Sequence, residues 1–334
     1  GDNVSDDTAV IQSAIDYVIA AGLASLYIPI GTFKITSTLR EATNGGALKI
    51  RGEHRLGSAL YSDGFAGAVI HVGNSNGHGN YRADLREFTI FNTVAKSAGS
   101  IGLITHENGT STCGDINISS FDQLWLCPGS ISMTINGKCE LGNGNEGLIW
   151  STPIAGTPSG PDDITTTASP LSLNPNISVM RDIWFTSMTR TALQLTGGQM
   201  VAKACTFQGC GNDVDYDVVS VNGANEAFAH GGGAKVLDCW IEGGTYRYAI
   251  AVRNTNNSKI LRNSISGSSS NSPSNAPKEG GVFVDALCAN TVVKNNSIYQ
   301  FFVGTPTETR LANGAVYTEG SLKTHDVFDN HVVK

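Results

Sequence analysis

Four acidic residues in the second half of the chain stand where carboxyl groups can do acid–base work. They are Glu242, within Asp238-Cys239-Trp240-Ile241-Glu242-Gly243-Gly244, then Asp285, Glu319 and Asp238. Two carboxyls make a catalytic pair when their surroundings hold one protonated and the other ionised. Trp240, Tyr246, Tyr248 and Tyr317 offer flat apolar faces near them, and Arg247 and Arg253 carry planar forks suited to a ligand's carboxylates. A plainer reading stands beside each assignment. Asp285 and Glu319 next to Arg253 make a surface ion-pair ladder of small energetic value. Glu242 solvates a turn before two glycines, Asp238 and Asp182 form turns, and His230 belongs to a glycine loop.

Other chemistries lack their residues. No Ser–His–Asp set, phosphate-cradling glycine loop or metal-binding histidine pair occurs at useful spacing. The densest acidic run, Asp213-Val214-Asp215-Tyr216-Asp217, reads as a solvated turn, because a calcium loop's glycine and distal Glu are missing. Seven cysteines without a Cys-x-x-Cys pair argue against zinc and for reduced, buried thiols, hence for folding in a reducing cytoplasm. No metal and no cofactor are expected. A net charge of −7, from 22 basic and 29 acidic residues, argues against a nucleic-acid partner. No apolar run approaches the ~18 residues of a spanning helix, so no membrane insertion is expected.

These side chains need a scaffold. Only 15% of the 334 residues are charged, against about 25% in an average domain, while Gly numbers 39 and Asn 27. That composition suits many short strands joined by tight turns. One helix is predicted near the start, where Ile11, Ala14, Ile15, Val18 and Ile19 make a stripe, Asp6 and Asp7 supply cap oxygens and Gly22 supplies the stop. Leu26–Ile35 follows as strand, Pro/Gly turn, strand.

A repeat then governs the second half. Arg181-Asp182-Ile183-Trp184-Phe185 aligns with segments whose third residues are Cys205, Cys239, Asn263, Asn296 and Asn330, so the steps are 22, 34, 24, 33 and 34 residues. A constant pattern at variable spacing means loops inserted into a fixed coil. The three asparagines are expected to stack and hydrogen-bond as an amide ladder. A second strand follows in each coil: Leu193-Gln194-Leu195, Val219-Ser220-Val221, Ile250-Ala251-Val252, Val282-Phe283-Val284 and Val316-Tyr317-Thr318. The expected fold is an all-β, right-handed parallel β-helix of two strands per coil, its open end capped by the helix; a β-sandwich is the alternative.

The opening, Gly1-Asp2-Asn3-Val4-Ser5-Asp6-Asp7-Thr8 with Ile11-Gln12-Ser13-Ala14-Ile15-Asp16 and Tyr27-Ile28-Pro29-Ile30-Gly31-Thr32-Phe33, resembles that of pectate-lyase-like β-helix proteins. The closest variant is that of bacteriophage tailspikes and capsule depolymerases. The resemblance implies a virion protein of the phage tail, a homotrimer, and a bacterial surface polysaccharide as substrate. It also implies a cap with its leading strands over 1–45, a shaft over 46–334 with insertions near 151–176 and 266–280, and flanking domains outside this fragment. Gly77-His78-Gly79 mimics a polygalacturonase signature, but Asp162-Asp163 comes after it and the companion Asn-Thr-Asp is missing, so it reads as a loop.

On a β-helix, outward residues stack in columns about 4.8 Å apart. Hydrolysis of a glycosidic bond uses two carboxyls roughly 5 Å apart for retention or about 6.5–9.5 Å for inversion, distances that neighbouring rungs supply. Thr196, Asn222, Arg253, Asp285 and Glu319 fall in one such column. The expected activity is depolymerisation of a surface polysaccharide by a carboxyl pair, Glu242 and Asp285 first, with Glu319 and Asp238 behind. The Trp240 segment also resembles an aromatic–apolar–Glu–Gly stretch of phage depolymerases. The alternatives are a lyase on the same scaffold, a non-enzymatic adhesin, and a secreted pectin- or alginate-degrading enzyme.

Overall fold

The computed structural model describes residues 1–22, 25–41, 47–73, 82–106, 109–151, 154–155, 165–166, 177–213, 215–223, 233–244, 246–266, 280–299, 316–318 and 326–333. The chain separates into two compact units, Gly1–Ser178 and Val179–Lys334. Each is a stretch of parallel β-helix made of three all-parallel sheets.

The coil has three strands, not the two expected. Val179–Arg181, Trp184–Thr186 and Leu193–Thr196 make one coil of the second unit, and Val201–Lys203, Thr206–Gln208 and Val219–Asn222 make the next. First strands pair with first strands in register, as in Val179↔Val201↔Lys235; second and third strands do likewise. The aligned sequence segments are therefore corners between a first and a second strand, each strand only three residues long. Every corner turns on one residue with positive φ: Asp182, Ala204, Asp238, Arg262, Asn295 and Asp329, at 52–58°. Asp and Asn tolerate this left-handed conformation; Ala and Arg adopt it at a cost of roughly 1–2 kcal/mol.

The turn swings the next residue inward, so Ile183, Cys205, Cys239, Asn263 and Asn296 are buried. From Asn263 onward that inward column is amide. Asn263 Nδ2 donates to Asn296 Oδ1 and Asn296 Nδ2 to Asn330 Oδ1, both at 2.9 Å. Each Oδ1 also accepts the backbone N–H of the corner one coil earlier, from Cys239, Asn263 and Asn296 at 2.9, 2.9 and 3.1 Å. The second amide hydrogen goes to a strand carbonyl, Val236 O for Asn263 and Ile260 O for Asn296. The expected ladder is thus present with its amides satisfied, which lets polar side chains sit in an apolar core.

Behind the corners, alternation builds the core of this unit. Leu193, Val219, Ile250 and Val282 form one inward column of the third sheet, and Phe185 stacks on Phe207 with ring centroids 4.7 Å apart. All seven cysteines are free and buried, as the composition suggested.

The first unit opens with strand Asp2–Asp6 and the helix Thr8–Ala20. The Asp6 carboxylate accepts the Thr8 N–H at 3.0 Å, whereas Asp7 turns away to accept the N–H of Lys34 at 3.1 Å. Gly22 takes the positive φ at the exit. Ile15 and Val18 are the buried side of the helix. Gln12 pairs with the edge strand Leu39–Glu41, its amide accepting the Arg40 N–H at 2.8 Å and donating to the Arg40 carbonyl at 2.9 Å. A side chain thus occupies a backbone edge that otherwise invites another strand. Glu41, next along, is 1% exposed and its two carboxylate oxygens have no partner among the described residues. Burial pushes its carboxyl up to about 7.

Candidate functional site

The third sheet of the second unit presents an outward face built on Leu193–Thr196, Val219–Asn222, Tyr248–Arg253, Gly280–Val284 and Val316–Thr318. Its strands bury Leu and Val inward, so the intervening residues stack outward: Gln194, Ser220, Ala251 and Phe283 in one column, Thr196, Asn222 and Arg253 in the next.

Arg253 is the hub of that face. Its Nη1 lies 2.5 Å from Asp217 Oδ2, and its guanidinium sits 5.3 Å over the Phe283 ring. Phe283 stacks on Tyr248 at 4.7 Å and 16°, and Arg247 lies 5.5 Å over Tyr248. Arg190 covers Tyr216 at 5.3 Å. The aromatic rings form a floor on which three guanidiniums rest, held by cation–π attraction. Tyr248 and Phe283 are 3% and 6% exposed, so what this floor offers outward is positive charge.

Asp217 is the counter-charge. It is 7% exposed, and its Oδ1 has no hydrogen-bond partner among the described residues. Burial raises its pKa above the ordinary aspartate range, opposed by the hydrogen bond and charge of Arg253 and then by the charge of Arg247. A desolvated carboxyl with one oxygen held by a guanidinium and the other buried without a partner keeps its proton more readily than an exposed aspartate does. Asp213, at the other end of the same acidic run, instead caps a turn by accepting the Asp215 N–H at 3.1 Å. The run is therefore divided: Asp213 makes the expected turn, and Asp217 is a buried ion-pair partner that its sequence setting hid.

The sequence-selected carboxylates lie at three different corners. Asp238 has φ 56° in the first corner of its coil and binds Arg262 through both oxygens, at 2.6 and 2.9 Å; that hydrogen bond lowers its pKa. Glu242 ends the second strand, half-buried and in register with Gln208 and Ser266. Asp285 follows the third strand of the next coil and accepts the Asn254 N–H at 3.1 Å, the Leu287 N–H at 3.0 Å and the Cys288 thiol at 3.1 Å. A whole third strand separates the Glu242 corner from the Asp285 corner, on the order of 17 Å at about 3.3 Å per residue. These two do not form a pair at catalytic spacing, and among the described residues Asp285 turns to its own loop while Arg253 pairs with Asp217.

The binding residues divide as well. Arg253, Arg247 and Tyr248 meet on the third-sheet face. Tyr246 does not: it is fully buried, with its hydroxyl donating to the Ser266 carbonyl at 3.3 Å, so its ring offers no sugar platform. Trp240 is 50% exposed on the second sheet. Tyr317 lies in register with Phe283, though its side chain is outside the described residues. Glu319, His230, Gly77-His78-Gly79, Asp162-Asp163 and nearly all of both insertions are also outside them.

No family model matches the chain. It is 27% identical over 174 residues to mannuronan C5-epimerase AlgE2 of Azotobacter vinelandii, covering 47% of this chain and 17% of that protein. The chain thus spans under a fifth of that relative's length. Among solved structures it is similar to ORF18 of Geobacillus virus E2, with a TM-score of 0.65 and 14% identity over 99% of this chain and 59% of that one. The AlgE4 A-module, a mannuronan C-5 epimerase of A. vinelandii, gives a TM-score of 0.60 and 14% identity over 99% and 92%. These likenesses agree with the parallel β-helix described above.

Proposed function

We propose that the chain is a polysaccharide-processing β-helix whose third-sheet face binds an acidic bacterial surface polysaccharide and cleaves it by carboxyl-assisted hydrolysis. The observation that carries this reading is Arg253, fixed between the buried Asp217 and the Phe283 ring with Arg247 and Arg190 nearby. The guanidiniums take the carboxylates of the sugar chain. Asp217, protonated, swings its buried carboxyl to the surface to give its proton to the leaving glycosidic oxygen, and Arg253 then stabilises the carboxylate left behind. The attacking water gives its proton to solvent, from which Asp217 is reprotonated; Asp285, a third strand's length from Asp217, lies beyond the spacing of a carboxyl pair. A place on a phage tail and a homotrimeric assembly belong to the same reading; the fold likeness to a viral protein supports it.

One observation favours a second reading. The sequence similarity to a mannuronan C5-epimerase, together with the cationic face, suits abstraction of the proton beside a uronate carboxylate, ending in epimerisation or β-elimination. A single assay separates the outcomes. The protein is incubated with a panel of acidic and neutral capsular and O-antigen polysaccharides, and polymer length, reducing ends, ultraviolet absorbance and solvent deuterium uptake are followed. Hydrolysis shortens an acidic polymer and creates reducing ends without a new chromophore. A chromophore signals elimination, deuterium uptake at constant length signals epimerisation, and binding alone signals an adhesin. Any of these three in place of shortening sinks the hydrolytic assignment.

A further inference from the structure

The second sheet of the same unit presents a different outward face. Trp184, Thr206 and Trp240 stand in register on three successive rungs. Both tryptophans are about half-exposed, at 46% and 50%, whereas Trp125 and Trp150, the other two in the chain, are fully buried. Neighbouring rungs are about 4.8 Å apart, so the two indoles repeat at about 9.6 Å with one small hydroxyl residue between them. Two residues along each strand, Gln208, Glu242 and Ser266 make a parallel polar column on successive rungs. Among the described outward residues of this face, Glu242 is the one carboxylate and neither Lys nor Arg occurs.

Exposed indoles are expensive to leave in water unless a partner covers them, and the pattern here selects the partner. A protein interface of ordinary size covers roughly 800 Å² per side around a contiguous apolar centre. Here the rings are isolated from one another by Thr206 and bordered by hydrogen-bonding groups. An extended chain of pyranose rings has the matching alternation: apolar ring faces that stack on indole, and equatorial hydroxyls that pair with amide, carboxylate and hydroxyl side chains. The strands of this face carry no cationic side chain, and Arg262 at the adjoining corner is paired with Asp238, which selects uncharged sugars, in contrast to the arginine-covered third-sheet face.

We infer that the second-sheet face is a glycan-binding surface separate from the third-sheet site. It takes an uncharged stretch of polysaccharide laid across the rungs, with one ring on Trp184, one on Trp240 and the sugar between them over Thr206. Gln208 and Glu242 hydrogen-bond the hydroxyls of the same stretch.

The two buried tryptophans make the test direct, because only Trp184 and Trp240 are open to acrylamide. Quenching of the protein's fluorescence is measured with cellohexaose, laminarihexaose and a dextran hexamer as neutral probes and with a hexagalacturonate as the acidic one. At least one neutral hexamer is expected to shield the quenchable fraction, and the acidic hexamer to leave it unchanged. Trp184→Ala or Trp240→Ala weakens that affinity about tenfold, as loss of one stacked ring implies, and the double variant abolishes it. Glu242→Gln, a near-isosteric change, weakens it severalfold. Circular dichroism melts that match the parent show that each variant is folded. The inference fails if none of the three neutral hexamers shields the indoles, if the hexagalacturonate shields them equally, or if shielding grows with protein concentration alone, which would make the face a contact between copies of the chain.

Discussion

Glu41 and Asp217 are both carboxyls taken almost wholly out of water, and the protein treats them differently. Glu41 sits beneath the cap helix with no partner among the described residues, and burial alone sets its pKa. Asp217 is also penalised by burial, but Arg253 returns charge to one oxygen while the other stays buried without a partner. Burial alone therefore does not mark a working group. A carboxyl kept neutral by isolation costs stability and faces no ligand surface, whereas one poised against a guanidinium on an outward face can pass its proton on.

The largest effect that would break this contrast is expected at Asp217. Asp217→Asn should lower depolymerase activity by about 10²–10⁴-fold, the range for a lost general acid, while binding of the same polymer changes little. Retention of activity would remove Asp217 from the mechanism. For Glu41 the expected effect is on stability. A folded-state pKa raised from 4.5 to about 7 means that the native chain keeps a proton the unfolded chain has lost. Stability should then fall as pH rises from about 4.5 to 7 and level off above, by about 3 kcal/mol in total. Glu41→Leu should remove that slope and raise stability at pH 8, as read from urea melts of both proteins across pH. Parallel pH profiles would show that Glu41 carries no such penalty.

Arg253→Met sharpens the contrast from the other side. Losing the guanidinium removes what holds the Asp217 pKa down, so the alkaline limb of the pH–rate profile should move to higher pH even as KM for an acidic polymer rises. An unmoved limb would dissociate the two residues. The smallest effect is expected at Gln12→Ala, which frees the edge-strand groups of Arg40 and should cost about 1–2 kcal/mol by thermal or urea unfolding.

Much of the fold was legible because its signals are local and repeated. The aligned corners, the asparagine column and the helix stripe each rest on residue types whose geometry follows from their own chemistry. The number of strands per coil was not legible. Three-residue strands show a single alternation, and although four of the six corner residues are Asp or Asn, Ala204 and Arg262 break that pattern, so composition alone does not mark the corner. The candidate site was legible in its cations and largely hidden in its acid. Arg253, Arg247 and Tyr248 were identifiable as outward residues of a strand. Asp217 becomes buried only when Arg253, 36 residues later, folds back onto it. Tyr246 erred in the other direction, since nothing nearby in sequence distinguishes a ring packed under a corner from one open to solvent.

The asparagine ladder has a consequence for how such a protein diversifies. Its rungs span 24, 33 and 34 residues of chain, yet the corner hydrogen bonds remain at 2.9, 2.9 and 3.1 Å. What is inserted between two corners is thus invisible to the stack that holds them. Recognition segments can lengthen, shorten or exchange from one coil to the next while the inner column keeps its register, so variation in what is bound is separated from the inheritance of the scaffold.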